Sequence, residues 1–392
     1  MRYPHNQESM TTKEQHMRFT RRDTHALALI RRLAAVSATA ILTAVIISGC
    51  SAATPDSPKS TPENASLNGQ RLGISVCCAV PQIDTIANGI TDNVKKNRTG
   101  LTATVVNGQS STQKAKTDVQ TFLAQDFDAI WTTLISGQGY DSLAREAADR
   151  GIPWVNFSGS AVTGATLNIV IPEEQLGYVL GTATAKWMAD HDLKGASIGA
   201  TIDSTGANVA RTEGFIAGVK ATLPKVTVFK VGNAASTSTA GQSIGANLLQ
   251  AHPDIKIFFG WTADDAVGLL SAAKQAGYSN PDDFLVVSPE ANDQIFKLIG
   301  SKSLLGLGAS LGYPFGVIAG ENLLEKALHG KTIPTTAIMR PTVVTAKNVE
   351  LVQKQEANPS DYPDRIENQL AFVDQVLKFG DAPTEQIEAA KP

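Results

Sequence analysis

Polar and aromatic side chains follow several predicted strands of this sequence, where a parallel sheet would present them to a ligand. Thr133 and Asn156 lie at the ends of two strands, and Trp261 ends a third. Four more polar side chains of the same predicted lining are Gln82, Asp84, Asp264 and Tyr313. Hydroxyl, amide and carboxyl groups of this kind bind an uncharged polyhydroxy solute through neutral donors and acceptors. The set predicts a sugar or polyol site and does not suit a phosphate.

Sequence motifs of catalysis are missing from the chain. It contains no G-x-S-x-G, H-E-x-x-H, P-loop or metal-spaced cluster, so neither a cofactor nor a metal is expected. The histidines after residue 50 are His191, His252 and His329, at predicted helix ends or just before a strand. We therefore predict a binding protein and not an enzyme. Glu290 with Asp264 leaves an extracellular glycoside hydrolase as a third hypothesis.

Cys77 and Cys78 are adjacent at the end of the first predicted strand. In an oxidising compartment, adjacent cysteines can close a strained vicinal disulfide, which would present a flat sulfur surface to a ligand. The alternative is a pair of small buried hydrophobic residues on opposite faces of a strand. Both interpretations stay open from the sequence.

Short apolar segments rich in β-formers alternate with amphipathic helical segments from Arg71 onward. The predicted strands are Leu72–Val76, Leu101–Val106, Asp128–Thr133, Trp154–Phe157, Ser197–Thr201, Val226–Val231, Ile255–Trp261, Phe284–Ser288 and Leu304–Ala309, with a helix after each. This alternation predicts an α/β protein of two doubly wound, Rossmann-like lobes with parallel sheets. Ligands bind such sheets beyond the carboxyl ends of the strands, so two facing lobes would form a cleft.

The N-terminal region has the pattern of an export signal. Arg31-Arg32 precede the apolar segment Leu33–Ile47, which is too short for a membrane span. Ile47-Ser48-Gly49-Cys50 resembles the lipobox of bacterial lipoproteins, whose cysteine is acylated. We predict a signal peptide over residues 1–49 and a lipid anchor on Cys50, which would hold the protein at the extracytoplasmic face of the cell membrane.

Residues 50–68 are rich in Ser, Pro and Ala, which predicts a flexible tether. The whole chain has a net charge of −3, but residues 1–49 contain seven Lys/Arg against three Asp/Glu, so the remainder carries about −7. An acidic body without a basic cluster argues against nucleic-acid binding.

Several segments of the body resemble the periplasmic binding proteins of the ribose and galactose type. The segments, in order, are Pro81–Gly89, Gly151-Ile152-Pro153, Arg211–Phe215, Leu248–Asp254, Asp264–Gly268, Ala276-Gly277 and Gly316–Leu328. The resemblance covers about residues 72–344 and implies a type I fold whose hinge has three crossing strands, near Val170, Ser310 and Arg340. It implies an N-terminal lobe of residues 69–170 plus 310–340 and a C-terminal lobe of residues 171–309 plus 341–392. A helix is predicted at Arg365–Phe379, packing across the lobes.

The same resemblance implies ligand contacts. Arg211, in the R-x-E-G-F context, corresponds to the family's ligand-binding arginine, and Glu290 corresponds to its aspartate after a strand. At other family positions the sequence departs from the pattern: Ser158 and Gly159 replace an acid and an arginine, Thr262 replaces an asparagine, and Ser310 replaces a glutamine. The aromatic residues that stack on a pyranose are also replaced, by Gln82, Ile83 and Ser236.

The function implied is capture of a small uncharged sugar or polyol by lobe closure, with delivery to an importer of the ABC type. Its partners would be a permease and an ATPase subunit, and the protein itself would act as a monomer. A sensory binding protein that presents its closed form to a receptor or kinase is the alternative, since both roles share the ligand-binding step.

Overall fold

The computed structural model describes residues 66–79, 81–96, 100–134, 136–158, 160–204 and 208–373. The predicted signal peptide, the lipidation residue Cys50 and most of the tether lie outside the described residues. Residues 374–392 also lie outside them. Across the described part of the chain, every helix is too short or too polar to span a bilayer.

The described chain forms two β-sheets. In chain order the strands are β1 Arg71–Val76, β2 Thr102–Asn107, β3 Ala129–Thr133, β4 Trp154–Ser158, β5 Leu167–Val170, β6 Ser197–Ile202, β7 Val228–Gly232, β8 Ile255–Phe259, β9 Leu285–Ser288, β10 Leu305–Ser310, β11 Thr336–Met339, β12 Thr342–Val344 and β13 Leu370–Val373. The first sheet has the order β13-β11-β5-β4-β3-β1-β2, and the second has the order β12-β10-β9-β8-β6-β7. Neighbouring strands are parallel except at the antiparallel pairs β11–β13 and β10–β12.

Helices follow the parallel strands and pack against the sheets. They are α1 Pro81–Lys96, α2 Thr112–Ala124, α3 Asp141–Asp149, α4 Glu173–Asp190, α5 Val209–Thr222, α6 Ser238–Ala251, α7 Ala263–Gln275, α8 Asp293–Gly300, α9 Tyr313–Leu328, α10 Val349–Ala357 and α11 Pro363–Gln369. Two sheets dominated by parallel pairs, each with flanking helices, confirm the predicted two-lobe α/β fold class.

The central strands of the first sheet are buried on both faces. Leu72, Ile74, Trp131 and Trp154 are each at most 1% exposed. Continuous apolar strands of this kind are typical of parallel sheets covered by helices on both sides. Trp131 packs against the position of Gly320 in α9, and Trp154 makes an edge-to-face contact with Tyr140. Trp131 and Trp154 are therefore core residues.

Glycines let α4 and α5 pack backbone to backbone. A Cβ atom at Gly177 in α4 would overlap the carbonyl oxygen of Arg211 in α5, and one at Gly214 would overlap the carbonyl oxygen of Glu174. Side chains at these positions would force the two helices apart. Because glycine has no side chain, the first turn of α5 lies directly against the first turn of α4.

The chain passes between the two sheets four times. It leaves the first sheet after β5, returns to it after β10, leaves it again between β11 and β12, and returns after β12 to form β13. The side chain of Gln369 donates from Nε2 to the carbonyl oxygens of Leu311, at 2.8 Å, and Arg340, at 3.0 Å. Gly312 has a φ of +60° and no room for a Cβ beside Gln369. Two of the crossing segments are therefore connected through one buried amide.

The C-terminal part differs from the prediction. Helix α11 ends at Gln369, and β13 then pairs antiparallel with β11 in the first sheet, so the predicted helix Arg365–Phe379 is wrong over Leu370–Val373. Its remaining residues, 374–379, lie outside the described residues. Residues 370–373 accordingly join the first sheet, although the sequence assigned residues 341–392 to the second lobe. The physical reason is that β11 would otherwise expose an unpaired edge.

Candidate ligand-binding cleft

Arg211 is the centre of a charged cluster at the strand ends of the second sheet. It is 6% exposed and lies in the first turn of α5. Its Nε donates to Glu173 Oε2 at 2.6 Å and its Nη2 donates to Glu173 Oε1 at 3.0 Å. Its Nη1 donates to Glu290 Oε1 at 3.0 Å and to the carbonyl oxygen of Trp261 at 2.9 Å. Described residues thus occupy four of its five N–H donors.

The surroundings of Arg211 keep it charged. Burial by itself would lower the pKa of the guanidinium, but the carboxylates of Glu173 and Glu290 raise it above the ordinary value. Glu173 binds with both oxygens in the bidentate geometry that fixes the plane of the guanidinium. Because the close packing of α4 on α5 places Glu173 here, the position of Arg211 is determined by the helix contact.

Glu290 lies just beyond the end of β9, as predicted. Its Oε1 accepts from Arg211, and its Oε2 accepts from the backbone N–H of Ala263 at 3.1 Å. Ala263 is the first residue of α7, so the helix dipole favours the carboxylate. The predicted pair of Arg211 and Glu290 is therefore in direct contact.

Trp261 and Thr262 connect β8 to α7. The indole Nε1 of Trp261 donates to the carbonyl oxygen of Asn233 at 3.1 Å, and the residue is 8% exposed. Thr262 is the N-cap of α7, and its hydroxyl also lies 2.8 Å from that of Ser236. Both side chains are thus held by neighbouring loops next to Arg211.

The two acidic residues that open α7 differ in burial. Asp264, the predicted ligand contact, is exposed, whereas Asp265 is fully buried. The carboxylate of Asp265 accepts from Thr201 Oγ1 at 2.8 Å and from Asn233 Nδ2 at 2.5 Å. Burial raises the pKa of Asp265 to about 6. Helical spacing explains the difference, because Asp265 lies one turn before Leu269 on the buried face of α7.

The strand ends of the first sheet hold a neutral network. Thr132, Asn156 and Asn168 lie side by side on β3, β4 and β5 by strand register. Thr132 donates to Asn156 Oδ1 at 3.2 Å and accepts from Trp154 Nε1 at 2.9 Å. Asn156 Nδ2 donates to the carbonyl oxygen of Ser160 and to Asn168 Oδ1. Asn156 is 0% exposed, so the structure places it inside the lobe, not on the cleft surface as the sequence predicted.

Two further predicted residues of this lobe are also buried. Ser158 is 4% exposed and bonds with the backbone of Ser160, and Thr133 is 1% exposed and accepts from the N–H of Cys77 at 3.4 Å. Their hydroxyls contribute to loop geometry at the strand ends. Any contact of these two side chains with a ligand stays a prediction.

The first turn of α1 and the residues before it contain the remaining predicted positions of this lobe. Asp84 is exposed, and the side chain of Gln82 lies outside the described parts. Cys77 and Cys78 are both thiols, and Cys77 is buried. Burial, followed by a hydrogen bond with Cys78, raises the pKa of the Cys77 thiol. The vicinal disulfide stays a prediction.

A cavity of about 520 Å³ lies at the hinge side of the cleft. It is formed by α1, the segment after β9, the crossing segment after β10, and α10. Its lining comprises Thr85, Glu290, Ala291, Asn292, Asp293, Gln294, Phe296, Ala309, Ser310, Leu311, Gly312, Tyr313, Pro314, Gln353, Glu356 and Ala357. Of the predicted site residues, Glu290, Ser310 and Tyr313 line it, while Arg211 lies behind Glu290.

Ser310 and Glu356 form a polar contact on the wall of this cavity. The Ser310 hydroxyl donates to Glu356 Oε1 and accepts from the N–H of Gly312 at 2.9 Å. Burial raises the pKa of Glu356 to about 7, although Ser310 and Arg365 both act to lower it. Burial and the neighbouring Glu290 likewise raise the pKa of Tyr313 above its ordinary value.

Three acidic residues of the site were missed from the sequence. Glu173 was assigned only as the approach to a helix, Asp265 was passed over for Asp264, and Glu356 lay in a tail without a predicted function. Helical periodicity would have identified Asp265. Nothing in the local sequence around Glu356 indicates that α10 reaches the cleft. Within the described ranges, the acidic, His and Cys side chains form no group of three suited to a metal ion.

Comparison with known proteins places the chain among solute-binding proteins. Residues 80–331 match the periplasmic binding protein domain family. The ribose import binding protein of Bacillus subtilis is 27% identical over 305 residues, which cover 77% of this chain and 95% of that protein. The galactofuranose-binding protein of Escherichia coli is 23% identical over 222 residues, or 52% of this chain and 67% of that protein.

Solved structures show the same fold. A Mycobacterium smegmatis protein in complex with β-D-fucofuranose superposes with a TM-score of 0.63 at 16% identity, covering 77% of this chain and 99% of that one. The fructose-binding periplasmic domain of a hybrid two-component system superposes with a TM-score of 0.60 at 19% identity, covering 76% and 98%. The family match, the two-lobe fold and the charged cluster at the strand ends together establish that this chain belongs to the type I periplasmic binding protein family.

Proposed function

We propose that this protein is a lipid-anchored, extracytoplasmic solute-binding protein that captures a sugar or polyol and delivers it to an ABC-type importer. The observation that carries the proposal is the contact of Arg211 with Glu290 beside a cavity at the hinge. Relatives named for ribose import and for galactofuranose binding support the same class of ligand. Export and anchoring rest on the sequence pattern that ends at Cys50.

In this proposal the second lobe supplies the charged ligand contacts. Glu290 lies on the cavity wall and accepts hydrogen bonds from ligand hydroxyls, while its bond with Arg211 holds the carboxylate in place. Ser310 and Tyr313 add hydroxyls from the crossing segment. Closure of the lobes completes the site, and the closed form, as a monomer, docks on the permease, whose ATPase drives import.

A thermal-shift experiment with the purified protein tests the proposal. Hexoses, pentoses, furanose sugars, inositols and linear polyols are compared with nucleosides and amino acids. A ligand at about 100 times its dissociation constant stabilises the fold by about 2.7 kcal/mol, which raises the melting temperature by several degrees. We expect the shift with a sugar or polyol. A shift given only by nucleosides or amino acids, or by no compound, contradicts the proposal.

Variants locate the binding site in the same experiment. Glu290→Gln removes a charge from the cavity wall and should weaken the shift. Glu213→Gln removes a charge from an exposed residue of α5 that pairs with Lys230 and should leave the shift unchanged. Equal effects of both variants would show that the binding site does not include Glu290.

The alternative is a sensory binding protein, because the same fold occurs in the periplasmic domain of a two-component system. The two roles differ after ligand capture. If cells take up labelled ligand, and this uptake is lost when the gene for this protein is deleted, the result supports import. Normal uptake with a lost transcriptional response supports sensing and contradicts the proposed role in import.

A further inference from the structure

The cavity at the hinge has an unbalanced charge. Its lining contains the carboxylates of Glu290, Asp293 and Glu356, and none of its lining residues is Lys, Arg or His. Asp293 is exposed at the first turn of α8, and Glu356 is partly buried on α10. A cavity wall lined by charges of one sign concentrates ligands of the opposite sign, so this arrangement favours a ligand that brings positive charge.

Arg211 does not neutralise this cavity. Its charge is shared between Glu173, which it binds through two N–H groups, and Glu290. Glu173, Glu290 and Arg211 together have a net charge of −1. This sum does not yet include Asp293 and Glu356. The charge of Arg211 is therefore engaged mainly by its own cluster, and Arg211 is not one of the lining residues of the cavity.

Arg365 is the cation that acts on Glu356, but it is directed elsewhere. Its Nη2 donates to Thr342 Oγ1 at 2.6 Å, and its guanidinium lies 5.4 Å from the ring centre of Phe315. Despite Arg365 and the hydroxyl of Ser310, burial keeps the pKa of Glu356 raised to about 7. Glu356 is thus a buried acceptor on the cavity wall, and the nearby cation lies outside the cavity lining.

The other walls suit a small polyhydroxy molecule. Thr85, Ser310 and Tyr313 supply hydroxyls, and Phe296 and Leu311 supply apolar surface. The volume of about 520 Å³ falls in the range of about 300–1,000 Å³ typical of small-molecule sites. A metal ion does not account for the acids, because the described residues contain no cluster of three metal-ligating groups.

We propose that the ligand carries a protonated amine beside its hydroxyls, as in an amino sugar or amino polyol, with the ammonium held by Glu356 and Asp293. This inference rests on the proposed function and changes one part of the sequence-based expectation, that the ligand is uncharged. The hydroxyl-bearing part of the ligand faces Glu290, Ser310 and Tyr313. The ammonium donates to the two carboxylates, and such charge-assisted bonds are about twice as strong as neutral ones.

Calorimetry at pH 7.5 with matched pairs tests the inference on the full chain. The amines are glucosamine, galactosamine, mannosamine and 1-amino-1-deoxysorbitol. The neutral partners are the parent sugars, sorbitol and the N-acetylated forms of the three amino sugars. We expect at least one amine to bind about tenfold more tightly than its neutral partner. Equal or tighter binding of the neutral partners overturns the inference and leaves the proposed function standing, whereas no binding by either class overturns both.

Variants of α10 identify the residue responsible. Glu356→Gln should remove most of the preference for the amine over its neutral partner. Glu350→Gln, an exposed residue of the same helix outside the cavity, is the matched control and should keep the preference. Asp293→Asn at an exposed position serves as the second variant if Glu356→Gln fails to fold. An unchanged preference in a folded Glu356→Gln or Asp293→Asn variant overturns the assignment.

Discussion

The strand ends of the two lobes face the same cleft but are built from different chemistry. In the first lobe, Thr132, Asn156 and Asn168 are neutral and bond to one another and to nearby backbone. In the second lobe, Arg211 and Glu290 are charged and bond across separate elements next to the cavity. The first arrangement stabilises its own loops, whereas the second leaves negative charge facing a ligand.

This difference indicates how the two lobes divide their roles. The family resemblance implies an acid and an arginine at positions 158 and 159, where this sequence has Ser and Gly. The structure shows Ser158 bonded to the loop that follows it. Under the proposed function, charged contacts with the ligand would therefore come from the second lobe and the crossing segments.

Removing the guanidinium of the second lobe should have the largest effect. Arg211→Ala leaves Glu173 and Glu290 close together without their shared cation, and loss of one partner from a buried ionic cluster costs about 3–5 kcal/mol. Urea unfolding measures the change in free energy. Lys230→Ala, which breaks an exposed ion pair with Glu213, is the control and should cost about 0–1 kcal/mol. Similar losses of unfolding free energy for both variants would contradict the assignment of Arg211 to a buried ionic cluster.

Breaking the neutral network of the first lobe should cost less. Asn156→Ala removes one acceptor and two donor contacts and leaves buried polar partners unsatisfied, for a loss of about 2–3 kcal/mol of unfolding free energy. Ligand affinity of the folded variant should stay within about twofold. The exposed Asn322→Ala is the control. Loss of binding in a folded Asn156→Ala variant would show that Asn156 contacts the ligand after all.

The smallest of the three effects is a pH dependence in the first lobe. Glu321 on α9 accepts from Asn93 Nδ2 at 2.7 Å, and its other oxygen is buried with no partner among the described residues. Burial raises the pKa of Glu321 to about 8, so the folded state binds a proton that the unfolded state has lost above its pKa of 4.5. Stability should therefore fall as the pH rises toward 8.

The variant Glu321→Gln isolates this contribution, because its amide keeps the acceptor for Asn93 and carries no charge. Between pH 6 and pH 8 we expect the wild type to lose about 1–2 kcal/mol more than the variant, after allowance for partial solvent exposure. Denaturant unfolding at the two pH values measures this difference in unfolding free energy. Parallel pH profiles for the two proteins would exclude a raised pKa at Glu321.

Much of the fold could be predicted because its central strands are distinctive in sequence. The nine predicted strands correspond to β1–β4 and β6–β10, since buried parallel strands are continuous apolar segments. The strands β5, β11, β12 and β13 were not predicted. They are three or four residues long, which is too short for a local periodicity to reveal them.

Residues of the candidate site could be predicted where a short local sequence context identifies them. Arg211 and Glu290 were chosen from their sequence context and are 3.0 Å apart in the structure. Asn156 is buried inside its lobe and Asp264 is exposed, because burial depends on which neighbours saturate a side chain. Contact of either residue with a ligand stays a prediction. Glu356 was missed because α10 reaches the cleft only after the chain has crossed between the sheets.

The sequence by itself determined the alternation of strands and helices, the acidic charge of the body and the pattern of an exported, lipid-anchored chain. Those properties depend on residue type and on spacing along the chain. Only the tertiary structure decided which carboxylates share Arg211, which amides are used up inside the first lobe, and which acids line the cavity. The reason is that charge balance and hydrogen-bond saturation depend on contacts between residues distant in sequence, such as Arg211 with Glu290 and Ser310 with Glu356.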